Sequence, residues 1–236
     1  MFSVFYKLFI PSDIPIRTLV LGGMSALFVT CLVVANLVGS MLFSFQLPVY
    51  TPFGSEVLLS SGIILFPVTF ILTDLLNEFY GASTARFITL IGFAMSMMVY
   101  GFLTLGEHLP VDSRSLLTLE QFRVFSGLYT HMALASMTAY WVGQLLDIQV
   151  FNWFYQLTQN RMIWLRAQGS TLIAQLVDST LVSFIAFSGS LSTDTIWHII
   201  ASDYAWKFLI VVAITPLLYL GHALLRRLIR SVREES

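Results

Sequence analysis

The feature that most constrains this chain is a series of six apolar runs, each about 20 residues long, joined by short polar connections. The hydrocarbon core of a bilayer is about 30 Å thick, and a helix of roughly 20 apolar residues crosses it. The runs cover Leu19–Leu42, Val57–Leu76, Ala85–Leu105, Phe125–Leu146, Gly169–Ser190 and Trp206–Leu225. The sequence therefore predicts an all-α polytopic membrane protein with six transmembrane helices.

Composition and motifs exclude most other classes. Of the 236 residues, 57% are hydrophobic and 11% are charged, whereas soluble domains carry about 25% charged residues. A net charge of −1 gives no basic surface for nucleic acid, and a single cysteine, Cys31, excludes an internal disulfide. The histidines are far apart in sequence, and neither a phosphate-binding loop nor a nucleophile–base pair occurs. We therefore predict no enzyme activity, no metal and no cofactor.

The distribution of Lys and Arg predicts the orientation. If the N-terminus lies in the cytoplasm, nine of the 12 basic residues fall on the cytoplasmic side, and only Arg114, Arg123 and Lys207 fall outside. Cytoplasmic loops of membrane proteins carry this excess of positive charge. Both termini are therefore predicted to be cytoplasmic.

The connections leave no room for a soluble domain, so the chain divides into three parts. Residues 1–18 form a cytoplasmic or interfacial segment, residues 19–225 the transmembrane domain, and residues 226–236 a basic cytoplasmic tail. Between the fourth and fifth runs, Asp147–Arg166 has apolar residues at helical spacing and two tryptophans. This pattern predicts an amphipathic helix lying in the membrane interface.

Asp178 is the deepest charged residue in the predicted spans. Thr171, Gln175 and Asp178 are spaced so that they share one stripe of the fifth span. A carboxylate at the centre of a span costs about 2.5–3.5 kcal/mol on insertion scales. Two interpretations follow: a substrate or proton site, which we favour, or a buried hydrogen bond that joins two helices.

A second polar group ends the second span. Asp74, Asn77 and Glu78 lie on one helical face, after a proline at position 67. They form either part of a binding site or a solvated helix end. Weaker polar candidates are Asn36 in the first span and Gln144 in the fourth, while we interpret His131 as structural.

Three motifs, in this order, resemble the queuosine precursor transporter family, also called the vitamin uptake transporter family. They are Phe66-Pro-x-x-Phe-x-x-Thr-Asp-Leu up to Gly81, the stretch from Ala135 to Asn152, and the stretch from Trp164 to Ser179. The likeness covers residues 20–225. One departure is Met41, since many members carry a lysine shortly after the asparagine of the first span.

This resemblance implies uptake of a small-molecule 7-deazaguanine for tRNA modification, across the bacterial inner membrane. The expected bases are 7-cyano-7-deazaguanine, 7-aminomethyl-7-deazaguanine and queuine. It also implies a fold similar to the substrate-binding subunits of energy-coupling-factor vitamin transporters. A solitary transporter is the leading hypothesis, and the alternatives are a substrate-capture subunit of an ATP-driven importer or an intramembrane enzyme. A homodimer and proton coupling both stay open.

The candidate site residues follow from the chemistry of such a base. A carboxylate suits the adjacent N–H donors of a guanine-like edge, an amide or arginine suits its carbonyl oxygen, and aromatic rings suit its flat faces. The predicted substrate-binding residues are Asn36, Phe66, Phe70, Asp74, Asn77, Glu78, Tyr80, Gln144, Trp164, Arg166, Gln175 and Asp178. Of these, Asp178 is the predicted recognition carboxylate. We expect Asp74, Asn77, Glu78, Gln175 and Asp178 to line one cavity between adjacent second and fifth spans.

Overall fold

The structure, a computed structural model, describes residues 14–51, 54–158 and 163–233. Within these residues the chain forms six α-helices and one β-hairpin. The helices are α1 (Ile16–Val38), α2 (Phe66–Tyr80), α3 (Ala82–Glu107), α4 (Leu119–Thr158), α5 (Ile163–Phe187) and α6 (Thr193–Arg233). Each predicted apolar run overlaps one of them, so the mostly helical architecture is confirmed.

Four helical segments in the described part of the chain are long and apolar enough to cross a membrane. They are Ile16–Val38, Ser61–Tyr80, Ala82–Glu107 and Thr193–Ala213, and α5 adds a shorter apolar segment, Leu172–Phe187. Helix α4 packs against α1, α3 and α5. Its buried face carries small residues, including Ala133, Ala135 and Ala139, which let neighbouring membrane helices approach closely. Six spans in the membrane, with cytoplasmic termini, stay a prediction.

The all-α expectation is wrong between α1 and α2. There, β1 (Leu42–Thr51) pairs antiparallel with β2 (Gly54–Ser60), and Leu42 lies opposite Ser60. Hydropathy alone extended the first predicted run into β1 and began the second inside β2. Phe43 and Phe45 alternate with polar residues, which is the pattern of a strand. A hydropathy average over about 20 residues does not detect so short a pattern. The Phe45 ring packs edge-on against Trp206 of α6, with centroids 5.8 Å apart.

A short 3₁₀-helix, Ser61–Leu65, connects the hairpin to α2 and lies against the end of α1. The Ser60 hydroxyl donates to the Gly39 carbonyl oxygen at 2.6 Å and accepts from the Gly62 N–H at 3.4 Å. A Cβ atom on Gly62 would lie 2.9 Å from the carbonyl oxygen of Ala35. The close backbone contact therefore requires glycine, and it fixes the point from which α2 starts.

Two helices extend beyond their predicted bounds. Helix α4 is continuous to Thr158, so residues 147–158 prolong it and do not form a separate interfacial helix. Helix α6 begins at Thr193, well before the predicted start at Trp206. The Ser192 hydroxyl caps it by accepting from the Thr195 N–H at 3.3 Å. The predicted span began too late because charged residues lower the hydropathy of this first part of α6.

Two apolar clusters hold the helices together. The first joins α1, α2 and α3 through Phe28, Leu72, Leu76, Ala85 and Ile88. The second joins α4, α5, α6 and the hairpin through Met132, Phe187, Ile196, Ile199 and Ile200. Phe28 from the first cluster, and Met132 and Phe187 from the second, also line a large internal cavity. The cavity is therefore bounded by both halves of the helical bundle.

Candidate functional site

The cavity has a volume of about 540 Å³, within the range of roughly 300–1,000 Å³ that is typical of small-molecule sites. Helices α2 and α5 both line it, and α6 packs against each of them. Eight of the twelve predicted site residues line it: Asn36, Phe66, Phe70, Asp74, Asn77, Gln144, Gln175 and Asp178. Residues from distant parts of the sequence therefore meet around one cavity.

The other four predicted residues have different places. Tyr80 lies off the cavity, where its hydroxyl donates to the Arg17 carbonyl oxygen at 2.8 Å and its ring lies under the Arg17 guanidinium. Glu78 is exposed and does not line the cavity, contrary to expectation. It follows Asp74 by one helical turn, about 6 Å along the axis, which carries it past the cavity edge. Trp164 and Arg166 lie in α5, but their side chains are outside those that the structure describes.

An ion pair lies in the cavity wall between α5 and α6. The Lys207 ammonium donates to Asp178 Oδ2 at 3.0 Å and to the Ser179 hydroxyl at 2.9 Å. It also lies 5.5 Å from the centre of the Phe66 ring. The Lys207 side chain is 14% exposed and that of Asp178 is 30% exposed. Because both charges are largely removed from solvent, each stabilises the other more than a surface pair would.

Asp203 lies one helical turn before Lys207 and is 8% exposed. The Ser60 backbone N–H and the charges of Lys207 and Asp178 all lie close enough to act on its carboxylate. Its Oδ1 atom is buried and has no hydrogen-bond partner among the described residues, and the same is true of Gln175 Oε1. Two acceptor atoms on the cavity-lining helices α5 and α6 are thus unpaired.

Sequence reasoning missed both Asp203 and Lys207 as site residues. Lys207 was expected on the side of the membrane opposite the cytoplasm, at the start of the sixth span, but it lies fourteen residues after the start of α6, roughly 21 Å along the helix axis. Two signals in the sequence identify it. Ser192 is a good helix cap, which indicates that the helix begins earlier in the sequence than Trp206. Asp203 and Lys207 are four residues apart, which is the spacing of one helical face.

The opposite part of the cavity wall carries a hydrogen-bonded network between α1, α3 and α4. Asn36 is 3% exposed; its Nδ2 donates to the Ser96 hydroxyl at 3.4 Å, and its Oδ1 accepts from the Ser136 hydroxyl at 2.7 Å. The Tyr129 hydroxyl donates to the Ser96 carbonyl oxygen at 2.9 Å. Both polar atoms of the Asn36 amide are therefore already engaged, and they join three helices.

Two pairs of aromatic rings also line the cavity. Phe66 and Phe70 lie one turn apart on α2, with ring centroids separated by 5.7 Å. Phe93 of α3 and Tyr140 of α4 form the second pair, at 5.2 Å. These rings give the cavity apolar faces beside its polar groups, an arrangement that suits a flat heteroaromatic ligand.

A bundle of apolar helices around a cavity with an ion pair in its wall is typical of a multi-pass membrane transport protein. The chain matches the family model described as "Putative vitamin uptake transporter" over residues 60–221, and it belongs to this family. It is a transporter of the bacterial inner membrane and not an enzyme.

Curated relatives agree with this assignment. The chain is 30% identical to a "Probable queuosine precursor transporter" of Bacillus subtilis, over 67% of this chain and 69% of the relative. It is 33% identical to a "Queuosine precursor transporter" of Escherichia coli, over 71% of this chain and 75% of the relative. A third relative, from Haemophilus influenzae, is 32% identical over 53% of this chain and 51% of its own. No solved structure matches the chain.

Proposed function

We propose that this chain imports queuosine precursors and that the transported base binds in the cavity. The observation that carries the proposal is the composition of the cavity wall, where amides, carboxylates and an ammonium surround two pairs of aromatic rings. The names of the relatives in three bacteria support it independently. The expected substrates are 7-cyano-7-deazaguanine, 7-aminomethyl-7-deazaguanine and queuine.

The chemistry of these bases matches the wall. A deazaguanine has two flat faces, which suit the rings of Phe66, Phe70 and Tyr140. Its edge carries a carbonyl oxygen next to two N–H-bearing nitrogens, so it needs both donors and acceptors. The lining residues contain three carboxylates, Asp74, Asp178 and Asp203, against one ammonium. This excess of acceptors favours ligands that are rich in N–H groups, including an aminomethyl cation.

The first experiment measures ligand-dependent thermal stability of the purified chain in detergent. A ligand that binds only the folded state adds about 2.7 kcal/mol of stability at a concentration of one hundred times its Kd. We expect stabilisation by the three deazaguanines and none by biotin or riboflavin. Stabilisation by a vitamin alone, with no response to any deazaguanine, contradicts the proposal.

A paired substitution tests whether the cavity is the binding site. Ala174 of α5 lines the cavity, whereas Leu176, two residues further along the same helix, is 43% exposed. We expect Ala174→Phe to abolish binding by filling the cavity, while Leu176→Phe keeps wild-type affinity. If the two variants bind with equal affinity, the binding site lies outside this cavity.

Uptake into proteoliposomes that contain only this chain tests whether it works alone. We propose a solitary transporter, so labelled 7-cyano-7-deazaguanine should accumulate or equilibrate without an added ATPase. Binding of the base without any uptake would instead support the alternative, a substrate-capture subunit that needs an ATP-driven module.

A further inference from the structure

Two of the three carboxylates that line the cavity differ in how their oxygens are paired. Asp178, the carboxylate expected from the sequence to recognise the substrate, binds the Lys207 ammonium through Oδ2 at 3.0 Å. Asp203 is more deeply buried, and its Oδ1 has no partner among the described residues. Buried polar atoms are nearly always hydrogen-bonded, so an unpaired carboxylate oxygen on a residue that lines the cavity is a candidate acceptor for a ligand.

A second unpaired acceptor lies on the neighbouring helix. Gln175 Oε1 is buried without a partner in the described part of the chain. Gln175 of α5 and Lys207 of α6 line a recess of about 40 Å³ beside the rings of Phe66 and Phe70. The unpaired amide oxygen therefore lies close to the ion pair and to a pair of aromatic rings.

Lys207 supplies a donor next to these acceptors. An ammonium has three N–H groups, and Asp178 and the Ser179 hydroxyl take two of them. Asp203 and Lys207 are four residues apart on α6, so their Cβ atoms are about 5–6 Å apart on one face. One turn of α6 thus presents a free acceptor and a remaining donor side by side.

We propose that Asp203, Gln175 and Lys207 together read the polar edge of the deazaguanine, an inference that rests on the proposed function. Asp203 Oδ1 accepts the ring N–H, Gln175 Oε1 accepts from the exocyclic amino group, and Lys207 donates to the carbonyl oxygen. Asp178 is then a positioning residue, because it holds the Lys207 ammonium. Phe66 and Phe70 contact the flat face of the base.

The test substitutes Asp203 by the amide of the same shape. The Ser60 backbone N–H lies close to the carboxylate, so we expect the single amide oxygen of Asp203→Asn to turn toward Ser60 and its NH₂ group to meet the ligand. A donor then faces a donor. We expect the Kd values of 7-cyano- and 7-aminomethyl-7-deazaguanine to rise by the same factor, about 10- to 100-fold. Asp194→Asn, the same change at an exposed position of α6, should leave both Kd values unchanged.

A ligand variant keeps the inference testable even if Asp203→Asn fails to fold. The analogue of 7-cyano-7-deazaguanine that lacks the 2-amino group should bind the wild-type chain about 10-fold more weakly. Gln175→Met removes the acceptor for that amino group, so this variant should bind the two ligands with equal affinity. A 10-fold preference that survives in Gln175→Met overturns the assignment of Gln175.

The remaining outcomes separate this inference from the proposed function. If the wild-type chain binds no deazaguanine, the proposed function fails and the inference fails with it. If the wild-type chain binds both bases and Asp203→Asn binds them equally well, only the inference fails. It also fails if Asp203→Asn loses affinity for the aminomethyl base alone, since Asp203 would then bind the ammonium of the substrate and not its ring edge.

Discussion

The two sides of the cavity treat their polar groups in opposite ways. On the side of α1, α3 and α4, the Asn36 amide donates to Ser96 and accepts from Ser136, so its nitrogen and its oxygen are both hydrogen-bonded. On the side of α5 and α6, Asp203 and Gln175 each keep a buried oxygen that has no partner in the described part of the chain. The comparison teaches that a polar residue in a membrane helix is not by itself a sign of a ligand. A polar residue whose atoms are all hydrogen-bonded to other helices serves to join them, whereas one with an unpaired buried atom is a candidate to bind a ligand.

Loss of the ammonium should have the largest effect on the α5–α6 side. Lys207→Met leaves Asp178 and Asp203 near each other without a countercharge. Breaking a fully buried pair costs about 3–5 kcal/mol; because Asp178 is 30% exposed, we expect the lower end, about 3 kcal/mol. Thermal unfolding in detergent measures this loss, and uptake should be abolished.

The double variant Lys207→Met with Asp178→Leu provides the control for that loss. It removes one of the two stranded carboxylates, so stability should return while uptake stays absent. A double variant that transports normally would show that the ion pair serves stability alone.

Breaking the α1–α3–α4 network should reduce stability but not affinity. Asn36→Leu removes two hydrogen bonds between helices, and such bonds in membranes average about 0.6 kcal/mol with a maximum near 1.7 kcal/mol. We expect a loss of about 1–2 kcal/mol in unfolding free energy and an unchanged KM for uptake. A raised KM with unchanged stability would return Asn36 to the substrate-binding residues predicted from the sequence.

A smaller change at Asp178 tests its role as a positioning residue. Asp178→Asn can still accept from Lys207, but the bond is no longer charge-assisted, so uptake at limiting substrate should fall about 10-fold. Because Lys207 is proposed to bind the carbonyl oxygen, the preference for a base with this oxygen over its 6-deoxo analogue should shrink in the variant. A preference equal to wild type would contradict the role. His131→Asn, at an exposed position off the cavity, is the matched control and should transport normally.

The smallest effect is expected at Tyr80, which the sequence predicted as a site residue but which lies off the cavity. Tyr80→Phe removes one hydrogen bond to the Arg17 carbonyl oxygen and keeps the ring beneath the Arg17 guanidinium. We expect the free energy of unfolding to fall by at most about 1.5 kcal/mol, measured by thermal unfolding, and the Kd of every deazaguanine to stay unchanged. A large rise in that Kd would place Tyr80 back in the site.

The helices could be predicted because their apolar length is a strong local signal, and each of α1 to α6 overlaps a predicted run. The hairpin was missed because a hydropathy window merges it with the adjoining helices, although the short alternation of Phe43 and Phe45 with polar residues indicates a strand. Its packing against α6 adds support that no local window contains.

The site was predictable where polar residues interrupt an apolar stretch, as at Asp74, Gln175 and Asp178. Asp203 and Lys207 were missed because they lie close together, and a hydropathy window treats two nearby charges as the end of a span. The ion pair of Lys207 with Asp178, which makes this burial tolerable, joins residues that are 29 positions apart in the chain. Such compensation appears only after folding.

Ser60 has a consequence for how the transporter moves. Its hydroxyl binds the end of α1, and its backbone N–H, at the end of β2, lies close to the carboxylate of Asp203. Any motion that lifts the hairpin from α6 separates that N–H from Asp203. The opening of the hairpin and the occupancy of the carboxylate are thus thermodynamically linked. Amide hydrogen exchange at Ser60 would report, from one backbone position, whether the cavity is closed over its cargo.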